Sequence, residues 1–563
     1  MRRLPVVLLL AAIVVPALPS QAIAVSHGSS RPLEFLHVEQ RPAGLAQIVD
    51  QHGRSVLLRG VNIDGLVDYW KPSLRTPYPI RPSAYRHHRC PRDDVRVEGV
   101  PICWFDFRQM RRLGYDNVRL NISWSLLEPK PGRISRTYVR RIAQVVRWAR
   151  TQGLWVVIDM HQDAWSKYVF TKPGASCPPG FGPTRGFDGA PRWASQSRLP
   201  ACVVDNTREL DLAVQQDAQN FWTNLDAPDG VGLQEHYAHA LAVLAKRFAR
   251  DPAVAGYDLM NEPEPGFLPQ AEATAELLPF YGKVARAITT TVPTFRQLLF
   301  FEPGVERNTT AQRVFFTPWS AFSPYPNAVY APHVYTKVFT LGAITGGPEV
   351  ATFNSDYDAA AGDAKALGLP LWIGEYGGPP QRDRTVLAKH YRQQERRRIG
   401  GTMWLWKENA NDTIANTFWG IYGPPFNGKS RRGVPQPQRV ELTSRVYPIV
   451  TAGRLLRTHT YVRRRAGIVA GRSPHVRFGD RRHAALIDVP ATYRGRIEVS
   501  GARYHVTRRA GAREVWVFPH GGRYIVRVKA VRTARRDVMM RRWMAQLRRS
   551  NTALPAYAAR IRP

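Results

Sequence analysis

The stretch Gly256-Tyr257-Asp258-Leu259-Met260-Asn261-Glu262-Pro263 decides how the rest of the chain is interpreted. Its apolar residues predict a short buried strand, and Pro263 ends the strand because it has no backbone N–H to donate. Glu262 is therefore expected at the carboxyl end of a strand. Parallel α/β folds place their ligands at that edge.

A second stretch, Leu371-Trp372-Ile373-Gly374-Glu375-Tyr376-Gly377-Gly378, has the same form: an apolar run, a glutamate, and glycines that let the chain turn. Cleavage of a glycosidic bond needs a carboxylic acid as proton donor and, in retaining enzymes, a carboxylate nucleophile about 5–5.5 Å from it. Opposed strands of one barrel can supply that separation. We expect Glu262 and Glu375 to face one another and to carry out this reaction.

Apolar runs typical of strands recur along the chain, and most of the segments between them have helical periodicity. The runs centre on residues 57, 118, 156, 256, 299, 330, 372 and 403. This alternation predicts an α/β fold, a (β/α)8 TIM barrel over residues 45–440. A doubly wound sheet would be expected to carry a G-x-G-x-x-G loop, which Gly60 and Gly65 do not form.

Helical periodicity ends near Tyr447, where short alternating runs separated by Gly and Pro turns begin. They predict a C-terminal antiparallel β-sandwich domain over residues 445–531. Residues 532–563 form a basic tail, in which 537–549 have the pattern of an amphipathic helix. Such a helix suits a membrane surface, although packing against the sandwich would explain its pattern equally well.

The first residues have the pattern of a secretory signal peptide, assigned to residues 1–24. Arg2 and Arg3 precede an apolar run that is short and interrupted by prolines, which disfavours a membrane-spanning helix. We expect a secreted, extracytoplasmic protein, without a transmembrane anchor and monomeric, that can associate with a membrane surface. Phe339, Leu341 and Ile344 are the expected apolar contacts there.

The chain carries a formal net charge of +36 over 563 residues. Such a charge suits nucleic acid, an anionic membrane surface or an acidic substrate, and a GC-rich genome would explain part of the arginine excess equally well. The arginines are scattered and no nucleic-acid-binding module is recognisable, so no nucleic-acid partner is expected.

Four cysteines allow three pairings. Cys90 and Cys103 bracket one loop rich in Pro, Gly and Arg, and Cys177 and Cys202 bracket another, so these two disulfides are favoured. Export makes them chemically plausible. No C-x-x-C motif or histidine cluster has the spacing of metal ligands, and neither a metal nor another cofactor is expected.

Polar residues follow most of the predicted barrel strands, which directs them to one mouth. We expect Arg119 to keep Glu375 ionised, Asn261 to hold a sugar hydroxyl, and Tyr335 to donate to the nucleophile. A tryptophan after strand eight offers a flat apolar face for a sugar ring. The expected substrate-binding residues are Arg119, His161, Asp163, Asn261, His333, Tyr335 and Trp404 or Trp406.

Five segments in this order resemble glycoside hydrolase family 5. They are Arg119-Leu120-Asn121, Asp159-Met160-His161-Gln162-Asp163, Tyr257 to Pro263, Ala331-Pro332-His333-Val334-Tyr335 and Ile373-Gly374-Glu375-Tyr376-Gly377. The second and third look like the family's endoglycoceramidase branch, which acts on glycosphingolipids. The resemblance implies that Glu262 is the acid/base, that Glu375 is the nucleophile, and that a glycolipid at a membrane or micelle surface is the substrate.

Two other functions remain open at the level of sequence. A polysaccharide hydrolase of the cellulase or mannanase kind would have the same barrel and the same two glutamates. A non-catalytic cell-surface glycan-binding protein could share the scaffold, although the presence of both glutamates argues against it. The resemblance does not say which glycan is accepted, or whether an intact oligosaccharide or a single sugar is released.

Overall fold

The computed structural model describes residues 32–42, 44–67, 102–184, 186–204, 207–408, 419–423, 433–530, 541–542 and 545. The expected signal peptide, Cys90 and most of the tail lie outside these residues; in the tail only Arg541, Arg542 and Ala545 are described, all helical. No helix in the described ranges is long and apolar enough to cross a membrane.

The strands follow one another in chain order as β1 (Leu36–Glu39), β2 (Gln47–Asp50), β3 (Ser55–Val56), β4 (Arg59–Ile63), β5 (Asn117–Ser123), β6 (Trp155–His161), β7 (Phe181–Pro183), β8 (Cys202–Val204), β9 (Val254–Asp258), β10 (Leu298–Phe301), β11 (Ala328–Tyr330), β12 (Ile373–Gly377), β13 (Gly401–Trp404), β14 (Tyr422–Gly423), β15 (Val434–Pro435), β16 (Tyr447–Thr451), β17 (Arg454–Tyr461), β18 (Ala466–His475), β19 (Ala485–Val489), β20 (Ile497–Ser500), β21 (Ala502–Arg509) and β22 (Ala512–Val528).

The helices are α1 (Trp104–Leu113), α2 (Trp124–Leu127), α3 (Arg136–Gln152), α4 (Leu212–Trp222), α5 (Leu233–Phe248), α6 (Gln270–Thr291), α7 (Arg307–Thr310), α8 (Leu341–Thr345), α9 (Phe353–Leu367), α10 (Leu387–Arg397) and α11 (Pro437–Thr443).

Eight strands form the predicted parallel barrel, in the order β11-β10-β9-β6-β5-β4-β13-β12. The two ends of this order meet where the N–H of Trp372 donates to the carbonyl oxygen of Tyr330, at 3.0 Å. Each strand coincides with one of the eight predicted apolar runs, and the (β/α)8 fold is confirmed. Because the strands are parallel, their carboxyl ends share one mouth.

A second sheet is antiparallel and joins the two ends of the described chain, in the order β1-β2-β3-β16-β19-β22-β18-β17. The first half of β22 pairs with β19 and β21, and its second half pairs with β18 and β20. The predicted C-terminal strands are therefore present as an antiparallel sheet.

The N-terminal hairpin belongs to this second sheet rather than to the barrel. Residues 45–56 were expected to open the barrel unit, yet Val56 pairs with Val450 of β16. The reason is that β3 is a two-residue strand whose backbone groups need a partner edge, and β16 provides it. Only from Arg59 onward does the chain follow the barrel.

An insertion between β6 and α5 lies over the barrel mouth and contains the hairpin β7–β8. Its predicted disulfide between Cys177 and Cys202 is confirmed, with Cα atoms 5.8 Å apart. Cys103 is also disulfide-bonded. Its predicted partner, Cys90, lies outside the described residues.

Candidate active site

The two predicted glutamates meet at the carboxyl ends of the barrel strands. Glu375 lies within β12, and Glu262 follows β9, which ends at Asp258. A carboxylate oxygen of each glutamate and a ring nitrogen of His333 lie within 4.8 Å of one another. Gly374 makes this approach possible, because a Cβ there would lie 3.0 Å from Cδ2 of His333 and 2.8 Å from the carbonyl oxygen of Ala331.

The carboxylate of Glu262 is held through one of its oxygens. Nδ1 of His333 lies 2.7 Å from Oε1, and Nδ2 of Asn308 donates to the same oxygen at 2.7 Å. Oε2 is then the oxygen on which a proton can move to or from a substrate. Glu262 also has a φ of +39°, a left-handed conformation that costs a non-glycine residue roughly 1–3 kcal/mol.

The carboxylate of Glu375 has a different set of partners, one on each oxygen. Nη1 of Arg119 donates to Oε1 at 2.6 Å, and the hydroxyl of Tyr335 donates to Oε2 at 2.7 Å. Both donors favour the ionised carboxylate. The expected contacts of Arg119 and Tyr335 with this residue are therefore present.

The surroundings shift the pKa values of the two glutamates in opposite directions. Burial alone would raise the pKa of Glu262, but the hydrogen bond and charge of His333 outweigh it, and the pKa is lowered. Burial raises the pKa of Glu375, against the opposing charges of His333 and Arg119. The two carboxyl groups therefore lie in different electrostatic surroundings.

Arg119 lies beneath the site and does not line it, contrary to its expected contact with the sugar. Its side chain is fully buried because three further carboxylates surround the guanidinium as well as Glu375. Oδ2 of Asp258 lies 2.8 Å from Nε of Arg119. Nη2 of Arg119 lies 2.7 Å from Oε1 of Glu302 and 3.0 Å from Oδ1 of Asp159.

His161 and Asp163 lie on the wall of the site that adjoins the insertion. Nδ1 of His161 lies 2.7 Å from Oδ2 of Asp159. Although burial lowers the pKa of His161, Asp159 and Asp163 raise it well above its usual value. Burial would raise the pKa of Asp163, but Arg208 and His161 lower it to about 2.

Of the two candidate tryptophans, Trp404 lies in the site and Trp406 does not. Trp404 is partly exposed and stacks on His161, with ring centroids 5.6 Å apart and planes at 13°. Trp406 is fully buried because its indole packs between Tyr115 and Tyr422, and its Nε1 donates to Oδ1 of Asp106 at 3.1 Å. Trp406 therefore has no face available to a sugar.

Asn261 has both ends of its amide engaged within the protein. Its Oδ1 accepts from Nη2 of Arg119 at 3.0 Å, and its Nδ2 donates to the carbonyl oxygen of Gln162 at 2.9 Å. These bonds fix the orientation of the residue that precedes Glu262.

Several residues that organise the site were not predicted from the sequence: Gln162, Arg208, Glu302 and Asn308. Gln162 and Asn308 hold the segment around Glu262, the first through backbone carbonyls and the second through Oε1. Arg208 lies on the insertion, where Nη2 donates to Asp163 at 2.8 Å. Glu302 follows β10 in the motif Leu298-Leu299-Phe300-Phe301-Glu302-Pro303, whose form could have revealed it.

Among the described residues, two groups of three ligand atoms are close enough together to hold a cation: Glu262 with His333 and Glu375, and Asp159 with Asp258 and Glu302. Arg119 contacts every member of the second group, and the first group is hydrogen-bonded internally. A cation would have to displace these partners, so this chemistry does not favour a metal, and its absence from the reaction stays a prediction.

Known proteins resemble the chain in both sequence and fold. The family model described as cellulase, glycosyl hydrolase family 5, matches residues 92–410. Endoglycoceramidase I of Rhodococcus hoagii is 27% identical over 426 residues, which are 72% of each chain. A glucosylceramidase of Aspergillus fumigatus is 25% identical over 39% of this chain and 32% of its own length.

Solved structures with the same fold include an endogalactoceramidase, with a TM-score of 0.71 and 29% identity over 89% of this chain and 100% of the other. Endo-glycoceramidase II from Rhodococcus sp. superposes with a TM-score of 0.65 at 22% identity, over 87% of this chain and 100% of the other. At that identity the second likeness shows the fold alone. The chain belongs to glycosyl hydrolase family 5, and it is a glycoside hydrolase of the endoglycoceramidase-like branch.

Proposed function

We propose that this glycoside hydrolase is a retaining β-glycosidase that cleaves the bond between a sugar, or an intact glycan, and ceramide in glycosphingolipids. The proximity of Glu262 and Glu375 carries the proposal. One oxygen of each carboxylate lies within 4.8 Å of the other, which fits the separation of about 5–5.5 Å typical of retaining enzymes better than the roughly 6.5–9.5 Å of inverting enzymes.

The reaction would proceed in two displacements. Glu375 attacks the anomeric carbon while Glu262 protonates the departing oxygen, and the ceramide alcohol leaves a glycosyl ester on Glu375. Glu262 then removes a proton from water, which attacks the same carbon and releases the sugar. Both glutamates return to their starting protonation states, so no further reactant is needed.

The local hydrogen bonds support these roles. Arg119 and Tyr335 donate to different oxygens of Glu375. One oxygen can therefore form the bond to the anomeric carbon while the other keeps its hydrogen bond. The positive charge that develops on the sugar lowers the pKa of Glu375 at the moment of attack. That charge therefore favours the ionised form of the nucleophile when it attacks.

An apolar surface beside Glu375 supports a lipid aglycone. Phe339 and Trp419 stack with ring centroids 5.7 Å apart, and Tyr335 packs against Phe339 at 4.8 Å. On the neighbouring helix α8, Leu341 and Ile344 are 52% and 56% exposed. Exposed apolar side chains next to a polar site are suited to a substrate whose sugar is polar and whose tail is not.

The names of the relatives support the same substrate class. Endoglycoceramidase, glucosylceramidase and endogalactoceramidase all name enzymes of ceramide glycosides. We also propose secretion after removal of residues 1–24, a barrel up to residue 440, and a C-terminal β-sandwich. The sandwich is supported by a separate core that includes Ile487, Val517 and Val526 and lies among strands on both halves of β22.

A polysaccharide hydrolase is the second candidate, because the matching family model is that of cellulases. Incubation with glucosylceramide, a ganglioside and carboxymethylcellulose separates the two candidates. Release of ceramide from either glycolipid supports the proposal, and mass analysis of the sugar product distinguishes an intact glycan from a monosaccharide. Hydrolysis of carboxymethylcellulose alone would overturn it.

A further inference from the structure

Glu302 is buried directly behind Glu262, at the end of strand β10, and it contacts the site in three ways. Its Oε2 accepts the backbone N–H of Glu262 at 3.1 Å. Its Oε1 accepts from Nη2 of Arg119 at 2.7 Å and lies 3.0 Å from Nε2 of His333. No other carboxylate among the described residues bonds the backbone of Glu262 and also contacts His333.

The contact with the backbone of Glu262 bears on its strained conformation. A non-glycine residue keeps a positive φ only where its surroundings fix it there. Here Glu302 holds the N–H of Glu262, and Gln162 holds its carbonyl oxygen at 2.7 Å. The strained turn thus has a fixed donor and acceptor on either side, which sets the direction in which the carboxylate projects.

The contact with His333 fixes the ring between two carboxyl groups. Nε2 faces Glu302 and Nδ1 faces Oε1 of Glu262 at 2.7 Å. When Glu262 is ionised, Nδ1–H donates to it. When Glu262 is protonated, the same nitrogen can accept while Nε2 carries the proton and faces the carboxylate of Glu302. The ring therefore accommodates both protonation states of Glu262 without turning, as long as Glu302 remains opposite Nε2.

Charged and titratable groups lie close to both Glu302 and Glu262. Burial and the charge of Asp258 raise the pKa of Glu302, and His333 and Arg119 oppose this rise. The charged and titratable side chains near Glu262 include His333, Glu375, Asp163, Arg208 and Glu264. Those near Glu302 include Arg119, Asp258, Asp159 and His333.

We infer that Glu302 is a positioning residue for proton transfer: it holds the strained backbone of Glu262 and keeps His333 oriented toward the carboxylate of Glu262. Glu302 is buried beneath the site and does not touch the sugar. The inference rests on the proposed acid/base role of Glu262. Its consequence is that losing Glu302 slows formation of the glycosyl-enzyme only where that step depends on protonation of the leaving group.

The test compares two substrates on one preparation of the Glu302→Gln variant. They are the 2,4-dinitrophenyl and octyl β-glycosides of the sugar that product analysis identifies, glucose or galactose. Positioned acid catalysis contributes about 10²–10⁴-fold, so a partial loss should lower kcat/KM, which reports formation of the glycosyl-enzyme, by about 10- to 100-fold for the octyl glycoside. The dinitrophenyl glycoside, which needs little protonation, should lose no more than about threefold in kcat/KM.

The ratio of the two rates is independent of how much of the preparation is folded, because both rates scale with the active fraction. Asp363→Asn is the matched control: Asp363 is also buried and also accepts backbone N–H groups, from Val314 and Phe315. It should leave the ratio at the wild-type value. Equal losses on the two substrates in Glu302→Gln would overturn the inference and leave Glu302 a packing role.

A second variant covers the case in which Glu302→Gln does not fold. Glu302→Asp keeps the charge but withdraws the carboxylate by one methylene, and it should change the ratio in the same direction; an unchanged ratio would equally overturn the inference. The failure of the proposed function is distinguishable from either result. If Glu262→Ala itself shows no dependence on the leaving group, then the acid/base assignment is wrong.

Discussion

The hydroxyl of Tyr335 donates to Oε2 of Glu375 at 2.7 Å, on the oxygen opposite the one that Arg119 holds. Both residues are buried, so water does not replace this bond when it is lost. The relationship makes Tyr335 a determinant of the charge on the nucleophile.

Tyr335→Phe should lower kcat/KM about 10- to 100-fold, which corresponds to about 1.4–2.7 kcal/mol of transition-state stabilisation. Loss of a donor to the carboxylate raises the pKa of Glu375, which must be ionised to attack. The acidic limb of the pH profile of kcat/KM should therefore move to higher pH. A profile that keeps its acidic limb in place would contradict this role.

Glu375→Gln should abolish turnover of every substrate while the fold is retained, because no neighbouring carboxylate can form the glycosyl-enzyme bond. A mechanism-based 2-fluoro sugar should label Glu375 in the wild-type enzyme. Peptide mapping by mass spectrometry identifies the labelled residue, and a label on Glu262 or Glu302 would reverse the assignment. Circular dichroism of the variant serves as the control for folding.

Glu262→Ala should lose about 10²–10⁴-fold on ceramide glycosides, whose alcohol is a poor leaving group. Substrates with acidic leaving groups need little protonation and should lose much less in the glycosylation step. Added azide can replace the activated water and should restore turnover of these substrates as the glycosyl azide. If azide has no effect and both substrate types lose equally, Glu262 does not act as acid and base.

Leu341→Ser combined with Ile344→Ser should weaken binding to anionic liposomes that contain the glycolipid, because both side chains are exposed beside the site. Each substitution removes apolar contact with the lipid, which contributes about 25 cal/mol for each Å² of apolar surface buried. Leu225→Ser, at a residue that is 40% exposed between α4 and α5, is the matched control and should bind as the wild type does.

Cosedimentation across a salt series separates this effect from the contribution of charge. Basic residues near an anionic surface contribute about 1 kcal/mol each, and salt weakens them. If the tail binds lipid, deletion of residues 535–563 should lower binding at low salt and make binding less dependent on salt. Identical binding by the double variant and the wild type at every salt concentration would show that α8 does not contact the membrane.

Strand ends were predictable from sequence because, in a parallel barrel, a polar residue that follows an apolar run lies at the carboxyl end of a strand. Glu262, Glu375 and His333 were found in this way, and the structure brings them together. Glu302 follows the same kind of run, in Phe301-Glu302-Pro303. It was not predicted as a site residue, because this segment is not one of the five that resemble the family. Its role depends on contacts with Glu262 and His333 that no local pattern contains.

Direction was harder to predict than position. Arg119 lies within β5 and Trp406 follows β13, but both point into the protein, where Arg119 contacts four carboxylates and Trp406 contacts Asp106. A buried arginine is stable only where several distant segments bring their carboxylates to it. That convergence is a property of the tertiary structure. The insertion that supplies Arg208 likewise has no periodicity from which its position could be predicted.

The pairing of the N-terminal hairpin with β16 has a consequence for synthesis of the chain. Val56 leaves the ribosome about 400 residues before its partner Val450. At about 5–20 residues per second, the hairpin waits roughly 20–80 s with one edge unpaired. An exposed strand edge can pair with another nascent chain, so this interval is the period of greatest risk for aggregation. Folding is completed only when the last strands emerge, and the barrel is already made by then.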